Sequence, residues 1–223
     1  MTEKGSGREV VAIDGPSGSG KSSVARSLAA RLGWRHLDTG ALYRAVTWFV
    51  LQRGHKGVES AAELEGLALR LADDGGVWIG ERDVTGLLRS AEVEASVSAV
   101  SAVRPVREAM VELQREIASK GPLVAEGRDM ASVVFPDARW KFYIDARLEE
   151  RARRRLQDHR RQGREVAREE VEAEIRERDR LDTTREDSPL RCVPEAVRID
   201  SSDLTLEEVV ERIARVMRAD SSG

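Results

Sequence analysis

Cysteine is all but missing from this chain. Cys192 stands alone among 223 residues, so no internal disulfide framework forms and a reducing compartment suits the protein. The residue is expected as a partly buried small side chain near a loop, not as a catalytic thiol. Long apolar runs are missing as well. No stretch approaches the roughly 20 residues that span a bilayer, and the opening MTEKGSGRE holds no apolar signal core. A cytoplasmic protein without a membrane partner is the expectation. Aromatic residues make up only 4% of the chain, which leaves few platforms for stacking single-stranded nucleic acid. Net charge is −3, so no global field argues for nucleic acid or an anionic surface. Basic residues are mostly arginine, a preference that carries no functional assignment. With 40% hydrophobic and 35% charged residues, the chain reads as a soluble domain with a real core and room for a small insertion.

Short apolar runs recur at VVAID (10–14), PLVAE (122–126), WKFYID (140–145) and AVRID (196–200), joined by the shorter WRHLD (34–38). Most are continuous, as strands covered on both faces by helices should be. Segments of helical period lie between them, including SSVARSLAARL, ALYRAVTWFVLQ, VREAMVELQREIA and LEEVVERIARVM. Alternating strands and helices predict an α/β fold with a parallel sheet and right-handed crossovers. Thr205 followed by Glu208 forms a capping signature before the last helix. Between about 57 and 103 the alternation breaks. That stretch reads as a helix, then GGVWIGERDVTGLLRS, then a second helix, with glycines bracketing VWI as in a short hairpin or small sheet, not a central strand.

Gly15, Pro16, Ser17, Gly18, Ser19, Gly20, Lys21 and Ser22 fit G-x-x-x-x-G-K-[ST] in full, and Ser23 follows. The motif sits after an apolar strand and before a helical pattern, where its mechanism needs it. Glycines let backbone N–H groups turn inward as an anion nest, and the following helix adds its positive end. Lys21 is placed to reach the β- and γ-phosphates of a nucleotide, and Ser22 to offer a hydroxyl to Mg²⁺.

That loop serves switches, motors and kinases alike. The chain lacks the Asn-Lys-x-Asp and Thr-Lys-x-Asp signatures of guanine readers, and no apolar strand ends in paired acidic residues. Instead the run after Gly121 ends as AEGRD, with Arg128 beside Glu126 and Asp129. An arginine there favours a kinase that grips a phosphorylated acceptor. Other polar residues fit the same idea. LDTGALYR sets Thr39, Tyr43 and Arg44 at a strand–helix junction, with Thr39 and Tyr43 four apart on one helical face. Arg107 begins a helix, and RERDRLDTTRED supplies Arg178, Asp179, Asp182 and Arg185. The planar arginine fork grips phosphate oxygens in pairs and stays charged. Strand ends are also where open α/β sheets bind ligands.

On these residues the chain resembles the bacterial cytidylate kinases. The resemblance rests on IDGPSGSGKSS, LDTGALYR, GERDVTGLLRS, VSAVSAVRPVRE, EGRDMASVVFPDA and IRERDRLDTTRED. It implies a three-layer α/β/α P-loop core at about 8–56, 104–146 and 182–223. A nucleotide-binding insert at about 57–103 and a lid region at about 147–181 complete it. It implies transfer of a phosphoryl group from ATP to CMP or dCMP, within pyrimidine nucleotide metabolism, by a monomer using Mg²⁺ with ATP. Carried over residue by residue, Thr39, Tyr43, Arg44 and Arg128 meet the acceptor. Ser98, Arg107 and Asp129 read the cytosine edge, Arg178 and Asp182 hold the ribose, and Arg185 touches the phosphates. Family members often carry Ser at position 39 and Asp at 126.

Asp129 accepts from an exocyclic amine that cytosine has and uracil lacks, so CMP is expected above UMP. Lys21, Arg128 and Arg185 are the expected catalytic groups; an ionised phosphate nucleophile needs no general base. His36, His55 and His159 are expected at a strand flank, a loop and the surface. RLEERARRRLQDHRRQGR (147–164) is the expected lid, with Arg151 and Arg155 facing ATP one helical turn apart. Two other readings stay open on the residues alone: a P-loop kinase for UMP or another small phosphorylated metabolite, and a regulatory protein that holds ATP without turnover.

Overall fold

The computed structural model describes residues 9–54, 64, 66–72, 75–161 and 163–220. Strand β1 (Val10–Asp14) is buried along its whole length. Helix α1 (Lys21–Leu32) starts at the end of the phosphate loop and stops at Gly33, which adopts the left-handed φ of 67° that favours glycine. Strand β2 (Arg35–Asp38) runs straight into α2 (Thr39–Gln52), where the Asp38 carboxylate caps the helix by accepting from the Ala41 N–H at 3.0 Å.

A small antiparallel sheet follows, formed by β3 (Leu69–Leu71), β4 (Val77–Ile79) and β5 (Arg82–Asp83). VWI is thus the middle strand of a small sheet, one of the two forms expected for it. Val77, Val84 and Leu88 pack this sheet region on Ala45 of α2. The helix expected just after Gly57 and the loop position of His55 lie outside the described residues. Helices α3 (Ala91–Ala102) and α4 (Arg104–Ser119) lead back to the main sheet at β6 (Leu123–Gly127). After a π-helical turn at Met130–Val134 comes β7 (Trp140–Asp145). Helices α5 (Leu148–Arg161) and α6 (Arg168–Thr184) then fold as a hairpin around Ala152, Val171 and Ile175. Strand β8 (Val197–Asp200) and α7 (Leu206–Asp220) close the chain. Thr205 and Glu208 form the expected reciprocal cap of α7, with the Glu208 N–H donating to Thr205 Oγ1 at 3.2 Å and the Thr205 N–H to Glu208 Oε2 at 2.8 Å.

The main sheet has five parallel strands in the order β2-β6-β1-β7-β8. Successive side chains of a strand point to opposite faces, and β1 serves two cores at once. Val10 and Ala12 join Leu42, Val46, Val106 and Met110 from α2 and α4. Val11 and Ile13 join Val24, Leu28, Val209 and Ile213 from α1 and α7. The result is the three-layer α/β/α arrangement. Register aligns the strand ends: Asp14 lies beside Gly127, and Asp38 beside Glu126. Every loop that leaves a strand end therefore emerges along one edge, where crossovers from β1 diverge and ligands of such sheets bind.

Candidate active site

The phosphate loop turns directly off β1. A Cβ at Gly15 would stand 2.0 Å from the Ile144 carbonyl oxygen, so only glycine fits against β7. Gly18 and Gly20 both carry left-handed φ angles, 77° and 88°. Lys21 is buried and donates to the Pro16 carbonyl at 3.0 Å, spanning the loop it must serve. Burial, with Arg128 nearby, pulls its ammonium down to about 7. Asp14 braces the next loop from below, accepting the Met130 and Ala131 N–H groups at 2.8 Å each.

Two arginines of α5 hold the loop from outside. Arg151 donates to Ser17 O at 3.2 Å and to the Asp179 carboxylate of α6 at 2.5 Å. Arg154 reaches Ser19 O at 3.0 Å and Ser201 O at 2.7 Å, while the Ser201 hydroxyl donates to Ser19 O at 2.9 Å. The expectation that Arg151 faces ATP is corrected here: its fork is spent on backbone and on Asp179, and it does not line the cavity. Arg155, Arg154 and Arg161 do line it. His159, in the last turn of α5, is buried, 4% exposed, where a surface residue was expected. Cys192 is exposed, not partly buried.

A cavity of about 530 Å³ opens between the phosphate loop and the insert. Ser17, Gly18, Gly20, Lys21, Ser22 and Ser23 line one end; Gly15, Pro16 and Ser19 support the loop without reaching the wall. The same wall carries Thr39, Tyr43 and Arg44 from α2 and Arg107 from the first turn of α4. Arg128 and Asp129 arrive from the end of β6, and Arg178, Asp182 and Arg185 from the end of α6. Ser98 is absent from this wall; Ser101, on the same helix, stands there instead, and its carbonyl accepts from Arg107 at 3.3 Å.

These groups come in charge pairs. Arg107 pairs with Asp129, both buried, and its guanidinium lies 5.7 Å from the centre of the Tyr43 ring. Burial raises the Asp129 carboxyl while Arg107 and Arg185 pull it back. Arg128 donates to Asp182 at 2.6 Å, so the neighbours in sequence, Arg128 and Asp129, do not pair with each other. Thr39 donates to the Glu126 carbonyl at 2.8 Å. Sequence reasoning missed three contributors. Asp38 has a readable signal as a helix cap before Thr-Gly-Ala. Glu94 and Arg154 have none, since both act through partners far away in the chain.

Oxygen donors gather at the phosphate end. Ser22, Asp38 and Glu126 all line the cavity. Burial and the adjacent Asp38 carboxylate push Glu126 up to about 7, against the pull of Lys21. Among the described residues no cluster of three or more His, Cys, Asp or Glu forms a metal cage. A hydroxyl with one or two carboxylates suits Mg²⁺, which is usually completed by water and substrate phosphates.

Residues 11–219 match the family described as cytidylate kinase. The cytidylate kinase of Carboxydothermus hydrogenoformans is 45% identical over 213 residues, 93% of this chain and 96% of that protein. A bifunctional pantoate ligase/cytidylate kinase of a Synechococcus strain is 46% identical over 217 residues, 94% of this chain. This chain spans only 45% of the length of that bifunctional relative. A solved structure of an uncharacterised protein from Eubacterium ventriosum agrees in fold alone, at 14% identity and a TM-score of 0.53, covering 95% of this chain and 99% of that one. With residues 11–219 matched by the family and a relative 45% identical over 93% of the chain, this protein belongs to the cytidylate kinase family.

Proposed function

We infer that this protein transfers the γ-phosphoryl group of ATP to CMP or dCMP, giving ADP and CDP or dCDP. One observation carries the reading. A single cavity is lined both by the phosphate loop and by Arg44, Arg107, Asp129, Arg178 and Arg185. A protein that only sensed ATP would have no use for this second set of groups, and a buried carboxylate suits a base that presents an exocyclic amine, as cytosine does and uracil does not.

The acceptor phosphate oxygen attacks the γ-phosphorus in line. A new P–O bond forms as the bond to the ADP oxygen breaks, and the ionised nucleophile needs no base. Lys21, Arg128 and Arg185 carry the charge that develops, in a site whose burial strengthens each interaction. Ser22 with Asp38 and Glu126 would hold Mg²⁺, which when bound draws charge from the β- and γ-phosphate oxygens. Arg107 and Asp129 read the cytosine edge, a role assigned also to Ser98 by resemblance and supported for Ser101 by its place on the wall. Arg178 and Asp182 take the ribose. The insert (57–103) and the α5–α6 lid (147–181) are the parts that close to exclude water. All of these groups lie in one chain, which supports action as a monomer. No helix of the described residues is long and apolar enough to cross a membrane; with ATP as substrate and an exposed free thiol, the cytoplasm is the site of action.

Product analysis tests the reading. ATP·Mg²⁺ and CMP should give ADP and CDP in equal amounts. ADP without CDP would leave an ATPase and overturn the assignment.

A further inference from the structure

Three arginines of the cavity wall, each from a different helix, converge on one carboxylate behind it. Arg44 of α2 donates through Nε to Glu94 Oε1 at 2.8 Å. Arg155 of α5 donates to Glu94 Oε2 at 3.3 Å, and Arg178 of α6 stands 3.9 Å from the same oxygen. Glu94 itself belongs to α3 in the insert and does not line the cavity. Its side chain is 12% exposed, and the arginines are nearly as well covered.

Glu94 faces three guanidiniums; Arg155 has a second, longer contact at 3.5 Å to Glu174, Asp182 lies near Arg178, and Arg178 Nε is buried without a hydrogen-bond partner. Burial alone would raise the Glu94 carboxyl, yet the three arginines bring it down to about 2. Nε of Arg44 is used on Glu94, and the residue also lines the cavity wall. Such a carboxylate aims the arginines without competing for the side that meets a ligand. It also ties the acceptor-binding insert to both helices of the lid.

We propose that Glu94 is a positioning residue that couples the two substrates: by gathering Arg44, Arg155 and Arg178 it links filling of the acceptor end to closure of the lid over ATP. The inference rests on the CMP reading for the identity of the acceptor. Arg155 makes its shorter contact with Glu94, 3.3 Å against 3.5 Å to the half-exposed Glu174 of α6. Helix α3 thus helps to hold it at the cavity wall, and the acceptor anchors α3 from the other side through Arg44. Coupling of this kind is a reciprocal change in affinity, typically of about 5- to 150-fold.

The test is calorimetric titration of the full chain with AMP-PNP·Mg²⁺, a non-hydrolysable ATP analogue, with and without saturating CMP. Wild type should bind the analogue about tenfold tighter with CMP present, and Glu94→Gln should bring that ratio below about twofold. Glu94→Asp, which keeps the charge, should recover part of the ratio; it also serves if Glu94→Gln folds poorly. A purely structural role would weaken both measurements together and leave the ratio intact, which overturns the inference. So does a wild type that turns over CMP yet binds the analogue equally well with and without it. A wild type that ignores CMP altogether overturns the acceptor assignment itself, and this inference with it.

Discussion

The Arg107 guanidinium and the Asp129 carboxylate form a buried ion pair in the cavity wall, Nη2 against Oδ2. The two residues are 22 positions apart and come from a helix start and a strand end. Asp129→Asn removes the charge that compensates Arg107, at a cost of about 3–5 kcal/mol in stability when a buried pair is broken. The same change blurs the acceptor edge, because an amide both donates and accepts. The preference for CMP over UMP, as a ratio of kcat/KM values, should fall at least about tenfold. An unchanged ratio in a folded variant would remove Asp129 from base reading.

Arg151 is expected to act through the phosphate loop, not through ATP. Its bonds to Ser17 O and Asp179 tie α5 and α6 to the loop. A hydrogen bond to a charged group is worth about 1.5–3 kcal/mol, so Arg151→Met should raise KM for ATP about tenfold or more. KM for CMP should move less than about twofold, the acceptor end being untouched. Asp179→Asn should act in the same direction, and the double variant should be less than additive. Two-substrate kinetics would reveal either pattern; a matching rise in both KM values would contradict it.

Asp14 predicts a pH dependence of stability. Burial outweighs its two N–H bonds and pushes the carboxyl from 3.8 to about 6. Between those values the native state keeps a proton that the unfolded chain has lost. The contribution is thus fully present below about pH 4, declines as pH rises, and is gone above about pH 6. Two units correspond to about 3 kcal/mol. Urea titrations across that range should show the fall in wild type and a flatter profile in Asp14→Asn. Equal slopes would mean that Asp14 ionises normally.

The cap at α7 offers a test far from the site. Thr205→Ala removes the acceptor for the Glu208 N–H and should cost about 1 kcal/mol. At this chain length that is a fall of about 2–4 °C in Tm. Calorimetry should find it with kinase activity intact at 25 °C. No shift would mean that water replaces the cap at no cost.

Much of the fold could be read from the chain because the strands are continuous apolar runs and the helices carry clean periodicity. β1 was legible for both reasons at once: it is apolar at every core position and followed by the phosphate motif. The motifs also named most of the cavity wall. What stayed hidden depends on which helices meet. Glu94 lies 50 residues from Arg44 and 61 from Arg155, and no local pattern links them. Arg151 and Arg155 look equivalent on a helical wheel, yet only the second faces the cavity, because Ser17 and Asp179 capture the first. His159 sits in a charged run that reads as surface, yet its side chain is buried at the end of α5. Asp14 ends an apolar strand, and its role emerges only when β6 and the following turn come alongside.

The most direct measurement is ADP release from ATP·Mg²⁺ with CMP, dCMP, UMP, AMP, GMP or no acceptor. A cavity lined both by a phosphate loop and by the Arg107–Asp129 pair predicts kcat/KM for CMP and dCMP at least about a hundredfold above the rest. Equal rates with CMP and UMP would keep the kinase and contradict the base-reading pair. Stimulation by none of them would contradict the account as a whole.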